Sequence, residues 1–339
     1  MRIYLIALLS VLLFTTCNKR VEEDKAAYME INGTTQGTTY MIKYSTEDTT
    51  NYRNDIEKIF KRIDSSLSTY NEQSTISRVN KNEQREVADT HFLNVFNASL
   101  EISEKTNGAF DITVAPIVNA WGFGFEEIPN VDSTKIDSIL QFVGYNKVQV
   151  KDGEILKDDK RTMLDMNAIA KGYTVDVVAG FMDRKGVENY LVEIGGEIRV
   201  KGKNQKNQQW KVGVDKPIDG NETPGKDLQA IIKLDNRSLA TSGNYRKFYI
   251  KDGVKYSHTI NPLSGYPVEH NLLSATVLAD QCIDADAYAT AFMVLGPEKS
   301  KEIVENNQEL EAFFILGNKD GKYETYYSEN IKKLITNIE

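Results

Sequence analysis

Apolar positions along this chain recur with two different periods, and the switches between them divide it into elements. Residues 28–44 alternate apolar and polar positions around Gly33 and Gly37, which predicts a hairpin. Over 54–67 the period lengthens: Ile56, Ile59, Phe60, Ile63 and Leu67 share one face, as in an amphipathic helix. Asp89 or Thr90 is placed to cap a second helix that runs to Glu104 and ends near Asn107-Gly108, and 133–142 predicts a third, closed by Gly144. Strand-like stretches at 147–150 and 162–166 flank a Lys151-Asp-Gly turn region, and a helix over 168–185 stops at Gly186. Alternation and β-branching predict strands at 190–194, 210–214 and 228–234. A turn at Thr241-Ser-Gly then leads into an aromatic strand, Asp252-Gly253 reverses it, and the returning strand carries His258 towards Pro262 and Gly265. Helices at 284–295 and 297–306, a hairpin from 313–316 and 323–327, and a last helix from Glu329 complete the pattern. Helices and antiparallel hairpins mix without regular strand–helix alternation, so the fold class is α+β.

Composition narrows what such a fold does. At 339 residues the chain is long enough for a sizeable core in one large domain or two. Its 49 acidic against 41 basic residues leave a net charge of −8, which argues against nucleic acid as a partner, since that requires a basic footprint. Residues 1–16 carry one positive charge and an apolar run too short to span a membrane, as in an export signal. Cys17 follows small Thr15 and Thr16, as at a lipoprotein attachment site, although Phe14 stands where such signals usually carry Leu; ordinary secretory cleavage is the alternative. Residues 17–27 then read as a lipidated N-terminus and charged tether, and 28–339 as the folded domain. The expected location is outside the cytoplasm, anchored by lipid, on the periplasmic side of the inner membrane. Cys282, left without a partner, reads as a buried apolar side chain, with a catalytic thiol as the alternative.

Several residues are candidates for chemistry on physical grounds. Asp286 and Thr290 lie four apart on a helix, so a carboxylate and a hydroxyl point to one side, an arrangement that suits Mg²⁺; complementing the helix dipole is the alternative for Asp286. Asp284 reads as the cap of that helix, with the alternative that it is the metal carboxylate in place of Asp286. The stretch Asn167-Ala-Ile-Ala-Lys-Gly opens a helix after a strand, where exposed amides favour anions and Lys171 adds a charge, unless Lys171 is simply solvated. Gly195-Gly196 admits either close approach by a ligand or a plain turn. No Gly-x-Gly-x-x-Gly follows a strand, so a Rossmann site is unsupported. His258 is a candidate general base or a structural histidine on a hairpin, whereas His91 and His270 lack a comparable setting. Phe110 and Trp121 read as core; Thr241, Ser242, Tyr245 and Arg246 are candidates to shape a phosphate pocket.

Five segments, in order, resemble the ApbE-type FAD:protein FMN transferases. They are Ser68-Thr-Tyr-Asn-Glu-Gln-Ser-Thr-Ile-Ser-Arg-Val-Asn; Gly108-Ala-Phe-Asp-Ile-Thr-Val-Ala-Pro with Trp121-Gly-Phe-Gly; Leu164-Asp-Met-Asn-Ala-Ile-Ala-Lys-Gly-Tyr-Thr-Val-Asp; Val192-Glu-Ile-Gly-Gly; and the region from Leu239 to Thr290. The resemblance implies an ApbE-like, T-fold-like α+β unit with its site in the groove between two subregions. It implies Mg²⁺ held by Asp286, Thr290 and the main chain of Ala168, and FAD lined by Gln36, Tyr70, Ala109, Phe110, Asp111, Asp165, Lys171 and Ile260. Gln36 departs from the apolar Met common there. Tyr70 is the residue type associated with transfer, Asn with hydrolysis of FAD. The implied reaction cleaves FAD, attaches FMN through a phosphoester to a threonine activated by His258, and releases AMP. The implied acceptor is a flavoprotein subunit of a membrane redox complex or an exported reductase. A Mg²⁺-dependent FAD pyrophosphatase and a non-catalytic FAD-binding lipoprotein are the alternatives.

Overall fold

The computed structural model describes residues 27–83, 89–124, 131–218, 225–245, 248–251 and 254–337. The elements, in chain order, are β1 (Ala27–Thr35), β2 (Thr38–Thr46), α1 (Arg53–Leu67), α2 (Thr75–Asn80), α3 (Thr90–Lys105), α4 (Ala115–Ala120), α5 (Ser133–Leu140), β3 (Val148–Lys151), β4 (Glu154–Lys157), α6 (Ala170–Arg184), β5 (Tyr190–Ile194) and β6 (Glu197–Lys201). They continue as β7 (Trp210–Asp215), β8 (Leu228–Leu234), β9 (Ser238–Gly243), β10 (Phe248–Lys251), β11 (Val254–Ser257), β12 (Leu272–Ala279), α7 (Cys282–Leu295), α8 (Pro297–Asn306), β13 (Glu311–Gly317), β14 (Tyr323–Tyr327), α9 (Ile331–Leu334) and β15 (Ile335–Asn337). The α+β class holds.

Eight strands form one antiparallel sheet in the order β1-β2-β5-β6-β9-β12-β13-β14. Side chains alternate across it, so most of its strands serve two cores. On β13, Ala312, Phe314 and Leu316 face the helices α1, α3, α6 and α7, while Phe313 and Ile315 face a second layer. That layer is the small sheet β15-β8-β7, whose Trp210, Val212, Val214, Ile232 and Leu234 close the far side. A third, smaller core gathers Ile117, Ala120, Ile136, Val143 and Ile260 around α4 and α5.

Several expected elements differ. The Lys151-Asp-Gly turn joins β3 to β4, not to 162–166; that later stretch is extended backbone with one bridge, Val114 to Met163. Thr241, Ser242 and Gly243 are not a turn but the end of a central strand, paired with Thr276, Ala275 and Ser274. The helix expected from 168 begins at Ala170, that expected from 284 begins at Cys282, and the last helix is one turn that passes into β15. The signal and tether, and the Asp252-Gly253 reversal, lie outside the described residues. Among those that are described, no helix is long and apolar enough to cross a membrane.

Candidate functional site

Two helices and a central strand assemble one corner. Ala168 lies in the turn leading into α6, where the Gly172 N–H would ordinarily donate to its carbonyl. Instead that N–H donates to Asp286 Oδ2 at 2.9 Å, while the next amide, of Tyr173, resumes the helical pattern by donating to Ile169 at 3.1 Å. Nothing among the described residues donates to the Ala168 carbonyl. Asp286 is 3% exposed and lies one turn before Thr290, whose Oγ1 is 3.2 Å from Ser242 Oγ on β9. The helices come this close because residue 172 is glycine: a Cβ there would stand 2.4 Å from the Cys282 carbonyl oxygen and 2.7 Å from Asp286 Cβ. Burial pushes the Asp286 carboxyl up, against the pull of the Lys171 cation.

One carboxylate, one hydroxyl and one carbonyl released from its helix are hard oxygen donors, and they fit Mg²⁺, which takes further oxygens from phosphate and water. A site of this kind needs only one acidic ligand. Among the described residues no cluster of three or more His, Cys, Asp or Glu is arranged to hold a metal. Asp284 is not the helix cap: Gln281 holds that position without a side-chain bond, and Asp284 sits in the first turn, pushed up to about 6 by burial and by Asp176.

Beside Asp286, the Lys171 ammonium meets Glu197, the first residue of β6, which sequence reasoning overlooked. Burial works against the charge on Lys171, but Glu197 and Asp286 outweigh it and hold the group protonated above its ordinary value. Lys171 is therefore not a plain solvated residue. Gln36 occupies a left-handed turn position with Gly37, φ 49° and 71°, and donates from Nε2 to Thr174 Oγ1 at 2.8 Å on α6. Its Oε1 is buried without a partner.

A cavity of about 240 Å³ opens next to this corner, lined among others by Tyr70, Asn80, Asn119, Phe123, Asp165 and Asn167. Tyr70 is 75% exposed at its mouth. Asp165 accepts from the Asn167 N–H at 2.7 Å, while burial pushes its carboxyl up. The extended segment that carries it is held by Asn80, which donates to the Leu164 carbonyl at 2.8 Å and accepts the Leu164 N–H at 2.7 Å, a side chain standing in for a neighbouring strand. Asn80 is the last residue of the Ser68 segment, and an Asn ending a short helix ahead of a strand-poor stretch was the available signal. His258, one residue beyond β11, packs against Phe123 with ring centroids 6.4 Å apart. The general-base candidate thus contacts one ring, Phe123, of the cavity that Tyr70 and Asp165 line.

Other candidates are engaged structurally. Asp111 accepts from the Thr113 N–H and hydroxyl at 2.7 and 2.6 Å and from the Tyr145 N–H at 2.7 Å, although burial raises its carboxyl. Ile260 belongs to the third core; Ala109 and Phe110 are buried, and the turn that follows them is joined to the cavity wall by the Asp165 N–H, which donates to the Ile112 carbonyl at 2.7 Å. Trp121 is half-buried, stacks on Tyr256 and donates to the Gly265 carbonyl at 2.7 Å. Thr241 pairs its hydroxyl with Thr276, and the Tyr245 ring covers Gly243. Arg246 and Cys17 lie outside the described residues. Cys282 is buried, and burial raises its thiol well above the ordinary value, as for an inert core residue.

His270 proves to have a defined setting. The Leu272 N–H donates to its Nδ1 at 3.2 Å, so Nε2 carries the proton and donates to the Met293 carbonyl at 2.8 Å, tying down the C-terminal turn of α7.

Comparison with known proteins bears on the whole arrangement. The model of the ApbE family matches residues 36–314, which includes every part of the corner and cavity. The chain belongs to the ApbE family. Among ApbE relatives, a FAD:protein FMN transferase from Vibrio cholerae is 36% identical, covering 99% of this chain and 100% of its own. One from Escherichia coli is 32% identical, covering 97% and 96%. Of solved ApbE structures, the flavin transferase from Vibrio cholerae superposes with a TM-score of 0.81 at 35% identity, covering 91% of this chain and 99% of its own. The flavinyl transferase from Pseudomonas stutzeri gives a TM-score of 0.81 at 31% identity, covering 91% and 97%.

Proposed function

We propose that this protein is a Mg²⁺-dependent flavin transferase that takes FAD, joins its FMN half to a threonine of an acceptor flavoprotein, and releases AMP. The general reading rests on family membership; the diversion of the Gly172 N–H to Asp286, which leaves the Ala168 carbonyl without its helical donor, carries the metal-dependent form of it. Asp286, Thr290 and the Ala168 carbonyl would hold the cation, which when bound screens the pyrophosphate charge and eases departure of AMP. Lys171 supplies a second, fixed positive charge next to it. Tyr70, Asp165 and the cavity wall hold the dinucleotide in place. His258 takes the proton from the acceptor hydroxyl as its oxygen attacks the phosphorus on the FMN side; a P–O bond to threonine forms and the P–O bond to AMP breaks.

The test incubates protein with FAD and a threonine-bearing acceptor polypeptide, with and without Mg²⁺, and weighs the acceptor intact. A Mg²⁺-dependent gain equal to bound FMN, with AMP in solution, is the expected result. AMP without any gain means a pyrophosphatase, and intact FAD throughout means a binding protein. We also propose that the chain is exported and carries lipid on Cys17, placing it at a membrane where flavoprotein subunits of redox complexes or exported reductases are its partners. Retention of labelled fatty acid by the wild-type chain and its loss in Cys17→Ala tests that step.

A further inference from the structure

Glu197 is a carboxylate that none of the roles above employs. It is 3% exposed; one oxygen meets the Lys171 ammonium, and the other, Oε2, is buried without a partner. Burying a carboxylate half-satisfied is costly, so its place is explained by what it does to the lysine. Lys171 immediately precedes Gly172, whose N–H is held by Asp286, so the lysine stem starts one residue from the proposed metal carboxylate. The stem then runs over Gly195, where a Cβ would stand 3.3 Å from Lys171 Cδ and 2.8 Å from Thr38 Cγ2, and where φ is 64°. Gly195 therefore opens a lane for a side chain of this protein, and the lane ends on Glu197.

We propose that Glu197 is a positioning residue that holds the Lys171 ammonium off Asp286, keeping that carboxylate free for a divalent cation while presenting the ammonium as a fixed charge for phosphate. The proposal rests on the reading of Asp286 as a metal ligand. Lys171 feels both carboxylates at once. A third, Glu193, lies nearby but already accepts the Gly196 N–H at 2.7 Å. Without Glu197, the ammonium turns to Asp286 and competes with the metal for it.

The experiment follows thermal stabilisation of the protein by Mg²⁺ alone, without FAD or acceptor so that the phosphate role of Lys171 does not enter, for wild type, Glu197→Gln and the double variant Lys171→Met/Glu197→Gln. Glu197→Gln is expected to need about tenfold or more Mg²⁺ for half-maximal stabilisation, because a unit charge moves onto the ligand at low effective dielectric. The double variant, with no ammonium to compete, is expected to return to within about threefold of wild type on the same reasoning. An unchanged requirement in Glu197→Gln overturns the proposal, and so does a double variant as impaired as the single one, which would mean that Glu197 supports the fold or the metal directly. A wild-type protein that ignores Mg²⁺ removes the metal reading itself.

Discussion

In the α6–α7 corner, Asp286 is 3% exposed and bonded to a backbone amide, whereas Tyr70, at the neighbouring cavity, is 75% exposed at the end of a loop. The corner is built from elements that also carry the main core: Gly172 packs on Cys282, Thr290 on β9, and Lys171 on β6. The cavity is walled by short helices, an extended segment and aromatic rings. The contrast teaches that charge is fixed where elements of the main core pack together, while the surface proposed to admit the flavin and the acceptor is left to segments with fewer constraints. Under the proposed function, binding of the cation belongs to the first region and proton transfer to the second.

Removing the acid of the corner is the largest disturbance. Asp286→Ala deletes the proposed metal ligand together with the acceptor of the Gly172 N–H, and transfer should fall by about 10³ or more, with no remaining stabilisation by Mg²⁺ in thermal melts. Gly172→Ala attacks the same region sterically. With a Cβ 2.4 Å from the Cys282 carbonyl oxygen, the helices must separate, and urea unfolding should show a loss of about 1–3 kcal/mol. A wild-type midpoint would contradict the close packing assigned to that residue.

Asn80→Ala sharpens the comparison from the cavity side. It strands the Leu164 N–H and carbonyl at a cost of about 1–3 kcal/mol, and the slackened Asp165 segment should weaken FAD binding severalfold, read by flavin fluorescence. The Mg²⁺ concentration for half-maximal stabilisation should remain that of the wild type. If both move together, the two regions are not separate.

Smallest is the effect of His270 on the end of α7. Burial lowers its pKa, so its contribution to stability is full above the unfolded value near 6.5 and declines as pH falls from there towards the folded value. The difference in melting temperature between wild type and His270→Gln should therefore be greater at about pH 7.5 than at about pH 5.5, an effect of about 1 kcal/mol or less. A difference independent of pH would mean that the ring acts by packing alone.

Much of this architecture is legible in the amino-acid sequence because periodicity reports burial on one face. Ile56, Ile59, Phe60, Ile63 and Leu67 mark α1 and all are buried, and Pro297 marks the start of α8. Elements buried on both sides leave no such trace. Strand β12 carries buried residues on successive positions from Ser274 to Ala279, and so went unrecognised, as did β6, whose Glu197, Arg199 and Lys201 look solvated but are paired with Lys171, Asp176 and Asp183. Thr241-Ser-Gly has turn composition but lies mid-sheet, where its hydroxyls find Thr276 and Thr290. The helical placement of Asp286 and Thr290 is readable, since spacing of four is enough for the two to share a face of α7. The supporting contacts of Asn80 and Glu197 join residues 84 and 26 positions apart, and no local pattern encodes them.

The division between binding and chemistry is tested most directly by His258→Ala. The variant is loaded with FAD and Mg²⁺ to the occupancy of the wild type, and the FMN attached to an acceptor threonine is then measured by intact mass over time. Undiminished affinity for FAD together with transfer about 10²–10⁴ slower is the predicted result, since the proton acceptor alone is gone. Transfer at the wild-type rate, or a loss explained wholly by weaker FAD binding, would contradict the assignment of proton transfer to His258.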